Sequence, residues 1–124
     1  MKVLHSDLAP AAIGPYSQAI EVNGFIFASG QIPIDPHTGK MVEGGVAEQT
    51  RQALINAAHV LEEAGLGLSS VVKTTVFLTD MADFAAMNEV YASFFKAPYP
   101  ARSAVAVKAL PKGALVEVEC VAAK

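Results

Sequence analysis

This chain is short of charge, and of arginine above all. Charged residues make up 17% of its 124 positions, against about 25% in an ordinary soluble domain. Only two arginines occur, Arg51 and Arg102. The lysines are scattered and the formal net charge is −3. No basic run or basic-aromatic interleaving is present, which argues against tight binding of nucleic acid or of an anionic membrane. The one cysteine, Cys120, excludes an internal disulfide and fits a reducing, cytoplasmic setting. No apolar run approaches the roughly 20 residues of a membrane span. Residues 1–7 lack the apolar core of a signal peptide. His5, His37 and His59 show no ligand spacing, so no metal site is expected. Glycine-rich phosphate loops, a Ser-His-Asp order and paired-carboxylate motifs are also missing.

What is abundant is apolar surface, at 52% of residues. The length suits one domain over 1–124, large enough for a sizeable core. So few charges on so small a body imply that a partner covers part of the surface. A second copy of the chain is the simplest partner.

The two-proline stretch 9–15 reads as a loop. Asn23-Gly24 predicts a hairpin turn between a strand over 16–22 and one over 25–29. Ala47, Leu54, Ala57, Ala58 and Leu61 are spaced for a helix over 46–64, stopped by Gly65. A β-branched strand is expected over 71–78. Thr79-Asp80 offers an N-cap to a second helix over 81–95, with Phe84, Met87, Tyr91 and Phe94 on its apolar face. Strands over 103–107 and 115–122 flank a turn at Pro111-Lys112-Gly113. The order is β-β-α-β-α-β-β, and two helices cannot cover both faces of five or six strands. The expected architecture is a two-layer α+β sandwich with both helices on one face of a mixed sheet.

Side-chain parity puts Val116, Val118 and Cys120 under the helices, and Glu117 and Glu119 on the uncovered face. If Val105 and Val107 also lie under the helices, Arg102 emerges beside those glutamates, at a seam between copies.

Arg102 precedes an Ala-Val-Ala-Val run. A guanidinium stays charged and grips a carboxylate with two parallel hydrogen bonds. It suits a small anionic ligand, and equally a structural pair with Glu117 or Glu119. Either way a carboxylate or another anion is expected against it. Glu119 in a half-closed cleft would have a raised pKa, fit to take a proton from water; a solvated strand residue is the plainer reading. The Tyr16 hydroxyl and the Ser29-Gly30 strand end could face a ligand, where packing and an ordinary turn are the plainer readings. Asn88 lies off the apolar stripe and reads as surface. Cys120 reads as a small buried hydrophobe. The residues by themselves reach an oligomeric α+β domain with a candidate anion site.

Five stretches carry a resemblance: Ala12-Ile13-Gly14-Pro15-Tyr16-Ser17-Gln18-Ala19, Ala28-Ser29-Gly30-Gln31-Ile32-Pro33, Val72-Lys73-Thr74-Thr75-Val76-Phe77-Leu78, Pro100-Ala101-Arg102-Ser103 and Val116-Glu117-Val118-Glu119. In order and spacing they resemble the reactive intermediate deaminase (YjgF/Rid) family, and its RidA branch most. The resemblance implies a chorismate-mutase-like fold and a homotrimer around a central barrel, with clefts between neighbours. It implies hydrolysis of 2-iminopropanoate and 2-iminobutanoate to 2-keto acids and ammonia, with no cofactor or metal. Carried over by position, Arg102 would clamp the substrate carboxylate and Glu119 would deprotonate the attacking water. Tyr16, Ser29, Gly30, Phe84 and Asn88 would line the cleft, and the backbone at Ala104 would contact substrate. Many relatives carry Cys where this chain has Ala104, so any thiol role is lost. The alternatives are a non-catalytic module that binds small carboxylates, or an RNA-cleaving or chaperone-like member.

Overall fold

The computed structural model describes residues 1–124. Strand β1 (Lys2–Leu4) pairs antiparallel with β2 (Ala19–Val22), which turns at Asn23-Gly24 into β3 (Phe25–Gln31). Both turn residues hold positive φ, 51° and 79°, the geometry that makes Asn-Gly a tight hairpin. A short hairpin of two-residue strands, β4 (Ile34–Asp35) with β5 (Lys40–Met41), leads to helix α1 (Val46–Glu62). Strand β6 (Val71–Leu78), helix α2 (Phe84–Phe94), strand β7 (Ala101–Ala106) and strand β8 (Val116–Ala123) follow. The sheet order is β1-β2-β3-β8-β6-β7; only β6 and β7 run parallel, joined through α2.

This is the expected α+β sandwich, a mixed six-stranded sheet with two helices. Ile26, Ala28, Val76, Leu78, Val116, Val118 and Cys120 share one core with Ala53, Leu54, Ala57, Val60 and Leu61 of α1 and Met87 and Tyr91 of α2. The other face stays open, with Phe25 and Phe27 both 45% exposed and Val105 44% exposed.

Several boundaries differ from the sequence pattern. The first predicted strand begins at Ala19 instead of residue 16, because Gln18 turns its amide onto the preceding loop. Strand β1 was not expected; three residues are too few for a visible alternation. Helix α1 closes at Glu62, where Leu66 N–H returns to Leu61 O at 3.1 Å. The second helix opens with a tight turn over Met81–Asp83, capped by Asp80, whose carboxylate accepts from Ala82 N–H at 2.9 Å.

The correction that matters concerns β7. Its register aligns Arg102 with Thr74 and Ala104 with Val76. Thr74 and Val76 are buried beneath the helices, so Arg102 and Ala104 face the helices too. Val105 points to the open side. Each face of this edge strand carries one polar residue, Arg102 or Ser103, among small apolar ones, so alternation cannot say which one is covered. Arg102 is therefore on the opposite face from Glu117 and Glu119.

Candidate functional site

Two separate clusters gather most of the expected residues. The first is a cavity of about 550 Å³ walled by Tyr16, Ser29, Gly30, Ile32 and Glu117. Its floor depends on glycine. A Cβ at Gly30 would stand 2.7 Å from Glu117 Oε2 and 2.8 Å from its Cδ. Gly30 sits where β3 shifts register against β8, and the bare backbone lets the glutamate lie across it. Burial pushes the Glu117 carboxyl above its ordinary pKa, and the nearby charge of Glu119 pushes it further. Such a carboxylate retains a proton more readily and is a better base once ionised.

The loop carrying Tyr16 is held by Gln18, which is 2% exposed. Its Oε1 accepts from Ser6 N–H at 2.6 Å, and its amide donates to Ser6 O at 3.1 Å and Pro10 O at 2.8 Å. Ser29 ties down the same loop: its hydroxyl donates to Ser17 O at 2.6 Å and its N–H to Gln18 O at 2.9 Å. The Ile34 part of the cavity lining is fixed by buried Asn56 of α1, whose amide donates to Ile34 O at 2.9 Å. Tyr16 itself remains exposed.

The second cluster surrounds Arg102 at the β7 edge, beside a cavity of about 410 Å³ bounded by Asn88, Tyr91, Tyr99 and Pro100. The guanidinium donates to Asn88 Oδ1 at 2.7 Å. Its Cζ lies 4.7 Å from the Tyr91 ring centre and 5.5 Å from that of Phe84. Tyr91 is buried, and its hydroxyl shares a 2.7 Å hydrogen bond with Thr74. Burial raises the Tyr91 pKa, offset in part by that hydrogen bond and by the Arg102 charge. The ion pairs of the chain are His5–Asp7, His59–Glu62 and Lys124–Glu21; none involves Arg102. The anion or carboxylate expected against Arg102 is not supplied by its own chain. Asn88, read from the sequence as surface, is its hydrogen-bond partner.

Glu119 belongs to neither cluster. It is exposed on the open face, beside Phe27, Lys73 and Thr75. The carboxylate at the Tyr16–Gly30 cavity is Glu117, two residues earlier. Parity gives both glutamates the same face, so spacing could not separate them. The usable signal is Gly30, and its pairing with β8 is visible only in three dimensions. Ala104 packs next to the core beside Arg102. Cys120, at 4% exposure, has its thiol pushed up to about 12, by burial first and by Glu119 second; it is a core residue and no nucleophile.

A family model described as Endoribonuclease L-PSP matches residues 6–124. A RutC family protein of Pyrococcus abyssi is 54% identical over 123 residues, 99% of this chain and 97% of that one. The 2-iminobutanoate/2-iminopropanoate deaminase of Homo sapiens is 51% identical over 121 residues, 98% of this chain and 88% of that one. This chain belongs to the Rid family. Its fold matches that of a Rid relative, the crystal structure of RidA from the Antarctic bacterium Psychrobacter sp., with a TM-score of 0.96 at 44% identity over the full length of both chains. Within the Rid fold, the Arg102 cluster and the Glu117 cavity lie on opposite faces of one sheet. They are two strands apart, roughly 10 Å across the sheet, with β6 between them.

Proposed function

We propose that this chain is a hydrolase of C=N bonds that converts 2-imino acids such as 2-iminobutanoate and 2-iminopropanoate to 2-keto acids and ammonia. The mammalian relative named for that activity supports the assignment. The observation that carries it is Arg102, a cation set between two rings and an amide with no carboxylate partner in its own chain. A small acid meets that need with two parallel hydrogen bonds.

We further propose that the reaction cleft forms between copies. Arg102 of one copy would hold the substrate carboxylate, and Glu117 of its neighbour would face the imine carbon. The open sheet face, with Phe25, Phe27 and Val105, offers the surface for that association, and a closed trimer fits the family. In this arrangement Glu117 takes a proton from water as the oxygen bonds to the imine carbon. The C=N electron pair moves to nitrogen, which receives the proton Glu117 took from water; the resulting carbinolamine then passes its hydroxyl proton by way of Glu117 to the amino group, and the C–N bond breaks to release ammonia and leave the ketone. The substrate is already electrophilic, so positioning and one general base suffice. Tyr16, Ser29 and Gly30 would wall the Glu117 side; Asn88 and Phe84 would hold Arg102 on the other.

The test is to generate 2-iminobutanoate with a threonine dehydratase in the presence of semicarbazide. The protein is expected to speed keto-acid release and lower semicarbazone yield. No change in either would refute the assignment.

A further inference from the structure

The Arg102 side chain is held in place by residues of α2 and β6. Arg102 and Thr74 are cross-strand neighbours on the helix-facing side of the sheet. The Tyr91 ring reaches down from α2 and lies under the guanidinium at 4.7 Å. Its hydroxyl is pinned by Thr74 Oγ1 at 2.7 Å, and Thr74 is 1% exposed. Phe95 buttresses the same ring, with centroids 4.5 Å apart. A cation over a buried ring is held more strongly than one in water, and its plane tends to follow the ring. Asn88 fixes one nitrogen at 2.7 Å, which leaves the remaining N–H groups of the fork for a ligand.

We propose that Tyr91, locked by Thr74, is a positioning residue that presets the plane of Arg102 for two-point capture of an α-keto or α-imino carboxylate. The proposal rests on the reading of Arg102 as the carboxylate anchor. Tyr91 acts through Arg102 and contributes no proton. Its effect therefore falls on ligand binding and leaves the water-activation step at Glu117 unchanged.

The experiment compares Tyr91→Leu, Tyr91→Phe, Thr74→Val and a control, Phe94→Leu. Phe94 is a half-buried ring on the same helix that stacks under Arg51 instead, at 5.7 Å. Calorimetry with 2-ketobutyrate is measured alongside KM and kcat for 2-iminobutanoate. Removing the ring in Tyr91→Leu is expected to weaken 2-ketobutyrate and raise KM about tenfold, the order of one desolvated cation–ring contact, with kcat little changed. Tyr91→Phe keeps the ring and rescues most of that loss. Thr74→Val shows the same smaller deficit as Tyr91→Phe, since both break one hydrogen bond. Phe94→Leu loses melting temperature with KM intact. The proposal is overturned if Tyr91→Leu binds 2-ketobutyrate like wild type, or if its KM rises no more than that of Phe94→Leu. Wild-type protein that binds 2-ketobutyrate without turnover would sink the deaminase reading and leave this inference to the binding data. Wild-type protein that binds no 2-ketobutyrate sinks both.

Discussion

In the proposed reaction Arg102 and Glu117 divide the chemistry, and substitutions separate their contributions. Arg102→Lys keeps the charge and loses the planar fork, so KM is expected to rise at least about tenfold while kcat changes less; steady-state kinetics reads the split. Glu117→Gln keeps the shape of the side chain and removes the base. Its kcat is expected to fall by about 10²–10⁴, whereas Glu119→Gln stays near wild type. Equal losses in the two variants would contradict the assignment of Glu117. The raised Glu117 pKa also fixes a pH dependence. Turnover needs the ionised form, so kcat/KM should decline on the acid side around a pKa above the ordinary glutamate value. The sign for stability is the reverse. The folded state holds the proton more tightly than the unfolded chain, so folding loses stability as pH rises from the ordinary value to the raised one, and carries the full cost above it. Glu117→Gln should therefore melt higher than wild type at neutral pH and lose that advantage in acid, a comparison that thermal unfolding at two pH values makes directly.

At the scale of elements, the parts with strong local signals are the ones the sequence announces. Asn23-Gly24 marks its hairpin, the alternation over 116–122 sorts β8 into a core face and an open face, and Phe84, Met87, Tyr91 and Phe94 mark the inner side of α2. The site was harder to read. Gly30 and Glu117 meet only because β3 pairs with β8, some ninety residues away, and nothing local distinguishes Glu117 from Glu119. The facing of β7 is not legible locally: Val105 and Val107 look like core, whereas the register with β6 turns Arg102 and Ala104 inward. Buried polar residues escaped apolar periodicity altogether: Gln18 and Asn56 clamp parts of the cavity lining through backbone carbonyls. Gly30→Ala places a methyl group against Glu117, so activity should fall sharply although β3 still forms; unchanged kcat would show that the contact is irrelevant. Gln18→Ala strands the buried Ser6 N–H, which costs about 1–3 kcal/mol, readable as a lower denaturant midpoint with KM raised through Tyr16.

For the molecule as a whole, the proposed association of copies answers both the open sheet face and the separation of the two half-sites. Sparse charge and half-exposed Phe25, Phe27 and Val105 favour it, and each chain by itself leaves Arg102 without a carboxylate and sets Glu117 two strands away on the opposite face. Val105→Asp should yield a monomer by sedimentation velocity, still folded by circular dichroism and without turnover. The endoribonuclease in the family description finds little support in a chain of net charge −3. The most direct test of the shared cleft is complementation between two inactive variants. Arg102→Ala and Glu117→Gln proteins are mixed in equal amounts, their subunits are exchanged, and mixed assemblies are verified by native mass spectrometry. The shared cleft predicts recovery of roughly a quarter of wild-type turnover of 2-iminobutanoate, the fraction of seams that unite an intact Arg102 with an intact Glu117; mixed assemblies no more active than either variant would contradict it.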